Sequence, residues 1–258
     1  MEIPKDPFRL DELRNELAFR RKLKELKATY SKRFPEIPDW NTPTLWDKLN
    51  PEYIVTKESN PIAYDRFRTF TKLLKKIKGK VVDVGAGSGV LEGFIEKEGL
   101  NLDWYGVDIA PKSIQQLKKK YPYWNFSIGD AKKLPFKNNL FDCVIVSEVL
   151  EHIPPKYTFK ALSEVQRVLK HNGKLIISVP LNEGLPEMIK KGINPNAHTR
   201  AYTIYLLKAE LELAGFKVDW QKELYAFSNN YTLKTFIVKY VLPGIRQPNN
   251  VILLARKI

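Results

Sequence analysis

The sequence contains a single cysteine, Cys143, among its 258 residues. One cysteine excludes a disulfide framework within the chain and is typical of proteins from a reducing compartment. The first residues lack the apolar stretch of a secretory signal, and no apolar run approaches the length that spans a membrane. These absences together predict a cytoplasmic protein without a transmembrane segment.

Acidic residues are too few to balance the basic ones. The chain has 29 Asp and Glu against 43 Lys and Arg, which gives a formal net charge of +14. This excess suits an anionic partner such as RNA, a phosphorylated substrate or the lipid head groups at a membrane surface. A Lys-rich solvated surface, common in heat-adapted proteins, has the same composition. Hydrophobic residues make up 43% of the chain, which is enough for a core and argues against global disorder.

Three glycines at alternate positions, Gly85, Gly87 and Gly89, follow a short β-branched run at residues 81–84. The run predicts a buried strand, and the spacing of residues 90–95 predicts a helix directly after the glycines. Strand, glycine turn and helix begin an α/β nucleotide-binding unit, in which the absence of a Cβ lets the backbone approach a ligand. The spacing differs from the dinucleotide fingerprint G-x-G-x-x-G, because the third glycine stands one residue early.

Strand-like and helix-like segments alternate along the rest of the chain. The predicted strands are residues 81–84, 102–108, 124–128, 141–147, 174–179, 216–225 and 251–256, and the predicted helices are 61–78, 90–95, 111–120, 161–170 and 203–215. This alternation predicts a doubly wound α/β domain with a parallel sheet and right-handed crossovers. Two stretches interrupt it: a Gly/Pro/Asn-rich insertion at residues 181–200 and an unusually long connection at residues 227–248.

A separate extension, residues 1–58, precedes the domain, which we expect to span residues 59–258. Residues 6–28 have the leucine spacing and the capping residues of a basic amphipathic helix. Residues 31–61 are rich in proline and aromatic side chains, including two tryptophans that need burial. We therefore expect this stretch to form an irregular cover or lid over the ligand.

Acidic residues follow the second and third predicted strands. Asp108 lies about 20 residues after Gly89, the distance at which a carboxylate accepts the hydroxyl protons of a ribose. Asp130 stands in a Gly-Asp-Ala sequence, with Leu-Pro-Phe shortly after it. Glu148 and His152 follow the fourth strand. Because ligands bind beyond the carboxyl ends of parallel strands, we expect these residues around one pocket.

The stretch Asp83-x-Gly85-x-Gly87-x-Gly89 resembles motif I of the class I S-adenosylmethionine (SAM)-dependent methyltransferases. The Gly-Asp-Ala sequence and the end of the fourth strand are similar to later motifs of the family members that act on small molecules. The resemblance covers roughly residues 60–225. It implies an α/β, doubly wound sheet of seven mostly parallel strands in the order 3-2-1-4-5-7-6, here with an N-terminal helical extension. It also implies SAM as the cofactor.

The resemblance also implies contacts to the cofactor. In the family, residues at the positions of Asp108, Ile109 and Asp130 bind the ribose, flank the adenine and face the adenine amino group. Ala131 would supply a backbone N–H. The residues expected to bind the cofactor are Asp83, Gly85, Ala86, Gly87, Gly89, Asp108, Ile109, Asp130, Ala131 and Ser147.

The candidates for catalysis on the methyl acceptor are His152, Glu148 and His198. His152 can act as a general base toward a hydroxyl or amine, or it and Glu148 can simply orient the loop. His198 stands in a His-x-Arg-x-Tyr-Thr stretch similar to one near the acceptor in related methyltransferases. His198 and Arg200 can therefore bind an anionic acceptor group, or the stretch can merely place Thr203 as a helix cap. No histidines, cysteines and carboxylates have metal-ligand spacing, so no metal site is predicted.

The predicted function is transfer of a methyl group from SAM to an O, N or C nucleophile of a small, amphipathic or anionic acceptor, by in-line displacement. An RNA methyltransferase stays open because of the basic charge, although the chain lacks a cysteine after the fourth strand and an Asn/Asp-Pro-Pro-Tyr signature. A non-catalytic SAM-binding or interaction module also stays open. A short-chain dehydrogenase is disfavoured by the glycine spacing and by a Tyr-x-x-x-Lys pair that occurs only upstream of the glycines.

Overall fold

A computed structural model describes residues 25, 27–33, 39–49, 55–194 and 196–258. Within these ranges, no helix is both long and apolar enough to cross a lipid bilayer. Most of the helix predicted over residues 6–28 lies outside the described residues.

Seven strands form the sheet: β1 (Lys80–Val84), β2 (Asp103–Asp108), β3 (Asn125–Ile128), β4 (Phe141–Ser147), β5 (Leu169–Pro180), β6 (Phe216–Leu224) and β7 (Asn250–Lys257). Their order is β3-β2-β1-β4-β5-β7-β6, which confirms the predicted topology. The first five strands are parallel, and β7 runs antiparallel to both of its neighbours. The carboxyl ends of β1 to β4 therefore meet at one edge.

The helices are α1 (Pro43–Leu49), α2 (Pro61–Leu74), α3 (Val90–Lys97), α4 (Pro111–Lys120), α5 (Thr158–Val168), α6 (Leu185–Lys190), α7 (Ile204–Leu213) and α8 (Tyr231–Phe236). Short 3₁₀ turns cover Tyr30–Arg33, Leu150–His152 and Pro155–Tyr157, and a π-helix covers Ile237–Val241. The predicted helix 161–170 is shifted, because Leu169 already pairs with Phe141 as the start of β5. The helix predicted to reach residue 78 ends at Leu74, where the chain turns toward Gly79, whose φ is +100°.

The central strands β1, β4 and β5 are buried on both faces along most of their length, as expected for parallel strands covered by helices. Alternate residues of β1 point to opposite core layers: Val82 packs in one layer with Val144 and Leu162, and Val81 packs in the other with Phe70. The regular alternation leaves the strand ends as the only part of β1 open to a ligand.

Two glycines of the turn after β1 have backbone conformations that side chains rarely adopt. Gly85 has a φ of +83°, and a Cβ there would lie 2.5 Å from Cγ2 of Val149. Gly89 has a φ of +78° and caps α3, and its Cβ would lie 2.5 Å from Cδ2 of Leu117. The turn therefore packs directly against the loop after β4 at Gly85 and against α4 at Gly89, which is possible only without side chains.

Candidate active site

An open cavity lies beyond the carboxyl ends of the parallel strands. Its volume, including its open mouth, is about 600 Å³, which is within the range of small-molecule and cofactor sites. Most of the predicted site residues line it: Gly85, Gly87, Asp108, Ile109, Asp130, Ala131, Glu148 and His152. The fold thus brings the ends of four strands together around one space.

Other predicted site residues do not line this cavity, namely Asp83, Ala86, Gly89, Ser147 and His198. Asp83 is buried in β1, where burial, followed by the charges of Glu92 and Asp108, raises its pKa well above the usual range. Gly89 lines a separate groove beside α3. The Ser147 hydroxyl lies 3.2 Å from that of Ser178 in the neighbouring strand. These residues shape the surroundings of the cavity.

Asp108 ties the end of β2 to the glycine turn. Its Oδ2 accepts a hydrogen bond from the Gly87 N–H at 2.8 Å, and its Oδ1 accepts one from the Ala110 N–H at 2.8 Å. Burial raises the pKa of this carboxyl group. A carboxylate has about four acceptor sites, so roughly two remain for hydroxyl groups of a ligand.

Asp130 follows β3, the strand next to β2, and is half-buried in the cavity wall. Its Oδ1 accepts a hydrogen bond from the Lys132 backbone N–H at 2.8 Å. The Lys132 ammonium lies 3.4 Å from Asp130 and equally far from Asp39. This lysine therefore links the third strand's loop to the N-terminal extension.

The described part of the extension contacts the cavity directly. Asn41 and Trp46 line it, and the Trp46 indole N–H donates a hydrogen bond to the Asn41 side chain at 2.6 Å. The Trp46 ring stands edge-on to His152, with ring centroids 4.6 Å apart. Asp47 accepts a hydrogen bond from the Lys112 backbone N–H at 3.0 Å. Sequence analysis indicated a cover here, but not which side chains form it.

Glu148 occupies the end of β4 in a left-handed backbone conformation, with a φ of +54°. Its carboxylate accepts hydrogen bonds from Ser178 at 2.8 Å and from Asn250 at 3.0 Å, and it forms a 2.9 Å ion pair with Arg66. These partners come from β5, β7 and α2. Glu148 is therefore held rigidly where the cavity wall joins three other elements.

His152 and His198 lie side by side, with ring centroids 4.8 Å apart, and Glu151 completes a buried cluster with them. Glu151 Oε1 is 3.9 Å from His152 Nε2, and one potential ligand atom from each residue lies within 4.8 Å of the others. Neither Glu151 carboxylate oxygen nor His152 Nδ1 has a hydrogen-bond partner among the described residues. Sequence spacing gave no sign of this cluster, because His198 comes from the distant insertion.

Two loops hold this cluster in place. The Thr199 N–H and hydroxyl both donate to the Glu151 carbonyl, at 2.7 and 2.9 Å. His198 Nδ1 lies 2.7 Å from the Glu183 carboxylate. Burial, with the neighbouring His198, lowers the pKa of His152 to about 3. His152 is therefore neutral near pH 7, and a group with such a pKa is a weak general base.

Arg200 does not reach the cavity, so the prediction that it binds an acceptor is wrong. Its guanidinium is buried, donates to Thr158 at 2.6 Å and to the Leu150 carbonyl at 3.1 Å, and lies 3.6 Å from Glu210. The stretch does place Thr203 as a cap, since its hydroxyl accepts from the Leu206 N–H. Arg200 thus holds α7 against the loop after β4.

Comparison with known proteins agrees with this architecture. Residues 82–177 match the family model of a methyltransferase domain. The chain is 31% identical over 158 residues to the demethylmenaquinone methyltransferase of Renibacterium salmoninarum, which covers 59% of this chain and 62% of that protein. It is 27% identical over 213 residues to the enzyme of the same name from Paenarthrobacter aurescens, covering 78% of this chain and 73% of that protein. The chain therefore spans about three fifths of the first relative and nearly three quarters of the second.

A solved structure shows the same fold. The SAM-dependent methyltransferase from Archaeoglobus fulgidus aligns with a TM-score of 0.54 and 24% identity, over 77% of this chain and 95% of that one. The domain match, the relatives and the strand order agree with the glycine turn and the acidic strand ends. Residues 82–177 thus match a methyltransferase domain, and the strand order is the one expected of the class I SAM-dependent methyltransferases, which this chain resembles in sequence and in fold.

Proposed function

We propose that this enzyme transfers a methyl group from SAM to a small or amphipathic acceptor held in the cavity at the strand ends. The observation that carries the proposal is the meeting of Asp108 and Asp130 around the glycine turn in one open cavity. When bound, SAM supplies a methyl group already activated by its sulfonium centre. The protein's own residues then have to bind SAM and the acceptor, align the acceptor with the methyl group and exclude water.

The cavity walls fit the cofactor's parts. Asp108 has acceptor sites left for the two ribose hydroxyls after its bonds to the glycine turn. The side chain of Asp130 and the backbone N–H of Ala131 suit the adenine, with Ile109 flanking the ring. Gly85 and Gly87 line the cavity without side chains, so the backbone of the turn can lie close to the remainder of the molecule.

Among the proposed catalytic residues, His152 has the most direct access to an acceptor, because it lines the cavity and is neutral. It can accept a hydrogen bond from an acceptor hydroxyl or amine. Glu148 also lines the cavity, but its carboxylate is held by Arg66 and two other side chains. These contacts support Glu148 as a residue that positions the loop. His198 does not line the cavity, and its ring packs against that of His152.

The extension formed by residues 1–58 serves, in this proposal, as the cover of the active site. Trp46 supports this role, because it lies in the cavity wall against His152. Its ring would exclude water from the acceptor's side of the cavity. Residues 59–258 then form the SAM-binding domain, with insertions at 181–200 and 227–248.

An amphipathic acceptor is supported by the name of the two relatives, demethylmenaquinone methyltransferase, and by the insertion after β6. That insertion exposes large apolar side chains, namely Leu233, Phe236, Tyr240, Val241, Leu242 and Ile245. Lys234, Lys239 and Arg246 stand among them. Such a surface suits peripheral contact with an anionic membrane, where an amphipathic acceptor would be available.

The proposal is tested by incubating the protein with SAM labelled in its methyl group and three acceptor pools. The pools are reduced prenylated quinones in anionic vesicles, water-soluble phenols, and total RNA. We expect label in one of the two small-molecule pools, dependent on Trp46 but not on Trp220, an exposed tryptophan of β6. Label only in RNA, or SAM binding with no transfer to any pool, would contradict the proposal.

A further inference from the structure

We propose that Glu151, His152 and His198 bind one divalent transition-metal cation at the wall of the cavity. The binding site is argued from the side chains alone. The role of the bound cation in catalysis, as a Lewis acid beside the methyl acceptor, rests on the proposed function.

The ligand set is the first argument. Two imidazoles and one carboxylate are the protein ligands of catalytic zinc sites and of facial-triad iron sites, which keep a further coordination position open. One ligand atom from each residue lies within 4.8 Å of the others. Ligand atoms that lie about 2.1 Å from one tetrahedral ion are roughly 3.4 Å from each other. Side-chain rotations that move the ligand atoms by about an ångström therefore complete the site. Glu151 and His152 are neighbours in one 3₁₀ turn, which makes such rotations local.

The unpaired state of Glu151 is the second argument. The residue is 1% exposed, and both of its carboxylate oxygens lack a hydrogen-bond partner in the part of the chain that the structure describes. Burying such a group without a partner is costly, and buried carboxylates are normally paired or coordinate a metal. Glu148, three residues earlier, has partners from three elements, and Arg66 pairs with it rather than with Glu151. A cation between the imidazoles would supply the missing partner.

The surroundings of His198 are the third argument. Its Nδ1 lies 2.7 Å from Glu183, so an Nδ1–H donated to that carboxylate leaves Nε2 available as a ligand. Metal-bound histidines usually donate their other ring N–H to a carboxylate or carbonyl in this way. Asn194 accepts from the His198 N–H at 3.0 Å and donates to its carbonyl at 2.9 Å. With the two Thr199 bonds to Glu151, these contacts fix the ligands before any ion binds.

The position of the site indicates its use. His152 belongs to both the cluster and the cavity wall, so the open coordination position would face an acceptor in the cavity. A divalent cation lowers the pKa of a hydroxyl that it contacts. The acceptor class that follows is a hydroxylated molecule, such as a phenol or enol. Its hydroxyl proton passes to solvent, its nucleophilic atom bonds to the methyl carbon, and the breaking S–C bond leaves its electron pair on the now neutral sulfur.

The test uses the full-length protein, stripped with a chelator and titrated with Zn²⁺ by calorimetry and with Co²⁺ by visible absorption. The variants His198→Ala and Glu151→Gln each remove one proposed ligand. His171→Ala is the matched control, because His171 is the one histidine of the three in the sequence that is not a proposed ligand, and it is exposed on β5. S-adenosylhomocysteine binding is measured on every variant to verify folding and to test the cofactor site independently.

We expect one equivalent of cation per chain in the wild type and in His171→Ala, with Co²⁺ bands typical of nitrogen and oxygen ligands. His198→Ala and Glu151→Gln should lose at least 100-fold in affinity, and Glu183→Gln about 10- to 100-fold. Cation binding that is absent in the wild type, or equal in His198→Ala, would overturn the inference. If the cation does not bind but S-adenosylhomocysteine does, the metal site is refuted and the proposed function stands. If the cation binds but S-adenosylhomocysteine does not, the metal site stands and the proposed function is refuted.

Discussion

Replacing Asp108 with asparagine tests how the cofactor site is built. The substitution keeps the shape of the side chain but leaves one acceptor oxygen where the carboxylate has two. In the folded protein these two oxygens accept the N–H groups of Gly87 and Ala110. The amide NH₂ of the variant must therefore face a backbone donor or turn toward the ligand. In the first case a hydrogen bond that fixes the turn around the cofactor is lost, and in the second case a bond accepted from a ribose hydroxyl is lost.

The expected loss of affinity follows from the negative charge of the Asp108 carboxylate, which accepts the hydrogen bond. A hydrogen bond to a charged group contributes about 1.5 to 3 kcal/mol. Loss of one such bond should weaken binding of S-adenosylhomocysteine between about 10- and 150-fold. Because burial raises the pKa of Asp108, its ionised form is disfavoured in the folded protein. Removal of the charge should therefore not unfold the protein, and the loss should appear in binding.

The assay is isothermal titration with S-adenosylhomocysteine, together with thermal unfolding of each variant without ligand. Asp103→Asn is the matched control, since Asp103 begins the same strand, is exposed, and pairs with Lys80 far from the cavity. It should bind the ligand as the wild type does. Unchanged affinity in Asp108→Asn would refute the assignment of the ribose to this carboxylate.

Three further predictions concern the cover, the buried ion pair and pH. Trp46→Ala should lower turnover about tenfold or more while changing the affinity for S-adenosylhomocysteine less. The control variant Trp220→Ala should change neither quantity. Equal turnover in the two variants would contradict the role of Trp46 in the cover. Arg200→Met should lower the free energy of unfolding by about 3 kcal/mol or more, because it leaves Glu210 buried without its cation. Arg256 pairs with Asp219 in a partly exposed position, so Arg256→Met should lower it by less than about 1 kcal/mol. Equal losses of the two variants in urea unfolding would refute this prediction. Burial raises the pKa of Glu92 from 4.5 to about 7, so the folded state holds this proton more tightly and the free energy of unfolding should fall by ~3 kcal/mol between those pH values. Glu92→Gln should flatten that slope and be more stable than the wild type at pH 8; parallel pH profiles would contradict the assignment.

The alternation of strands and helices and the position of the cavity could be predicted from the sequence because the signals are local. The β-branched run of β1 and the glycines after it are adjacent in the sequence, and the acidic residue at the end of β2 follows the turn that it binds by only 21 residues. Parallel strands then bring their carboxyl ends to one edge regardless of loop details. The resemblance of these motifs to one family supplied the strand order 3-2-1-4-5-7-6, which the structure confirms.

The buried polar groups could not be predicted in the same way, because their partners are distant in the sequence. The hydroxyl of Tyr30 donates a hydrogen bond to Glu210, and Arg200 reaches back to the loop after β4. Sequence analysis left open whether Arg200 binds the acceptor or whether its stretch only places Thr203 as a helix cap. The cluster of Glu151 with His198 arises only when the insertion after β5 folds against the 3₁₀ turn. No spacing rule spans such a separation.

The central claim is that the cavity at the strand ends binds SAM rather than a dinucleotide. Calorimetric titration of the full-length protein with S-adenosylhomocysteine and with NADH tests it most directly. We expect one equivalent of S-adenosylhomocysteine to bind, with no heat from NADH beyond dilution. Binding of NADH, or of neither ligand, would contradict the account.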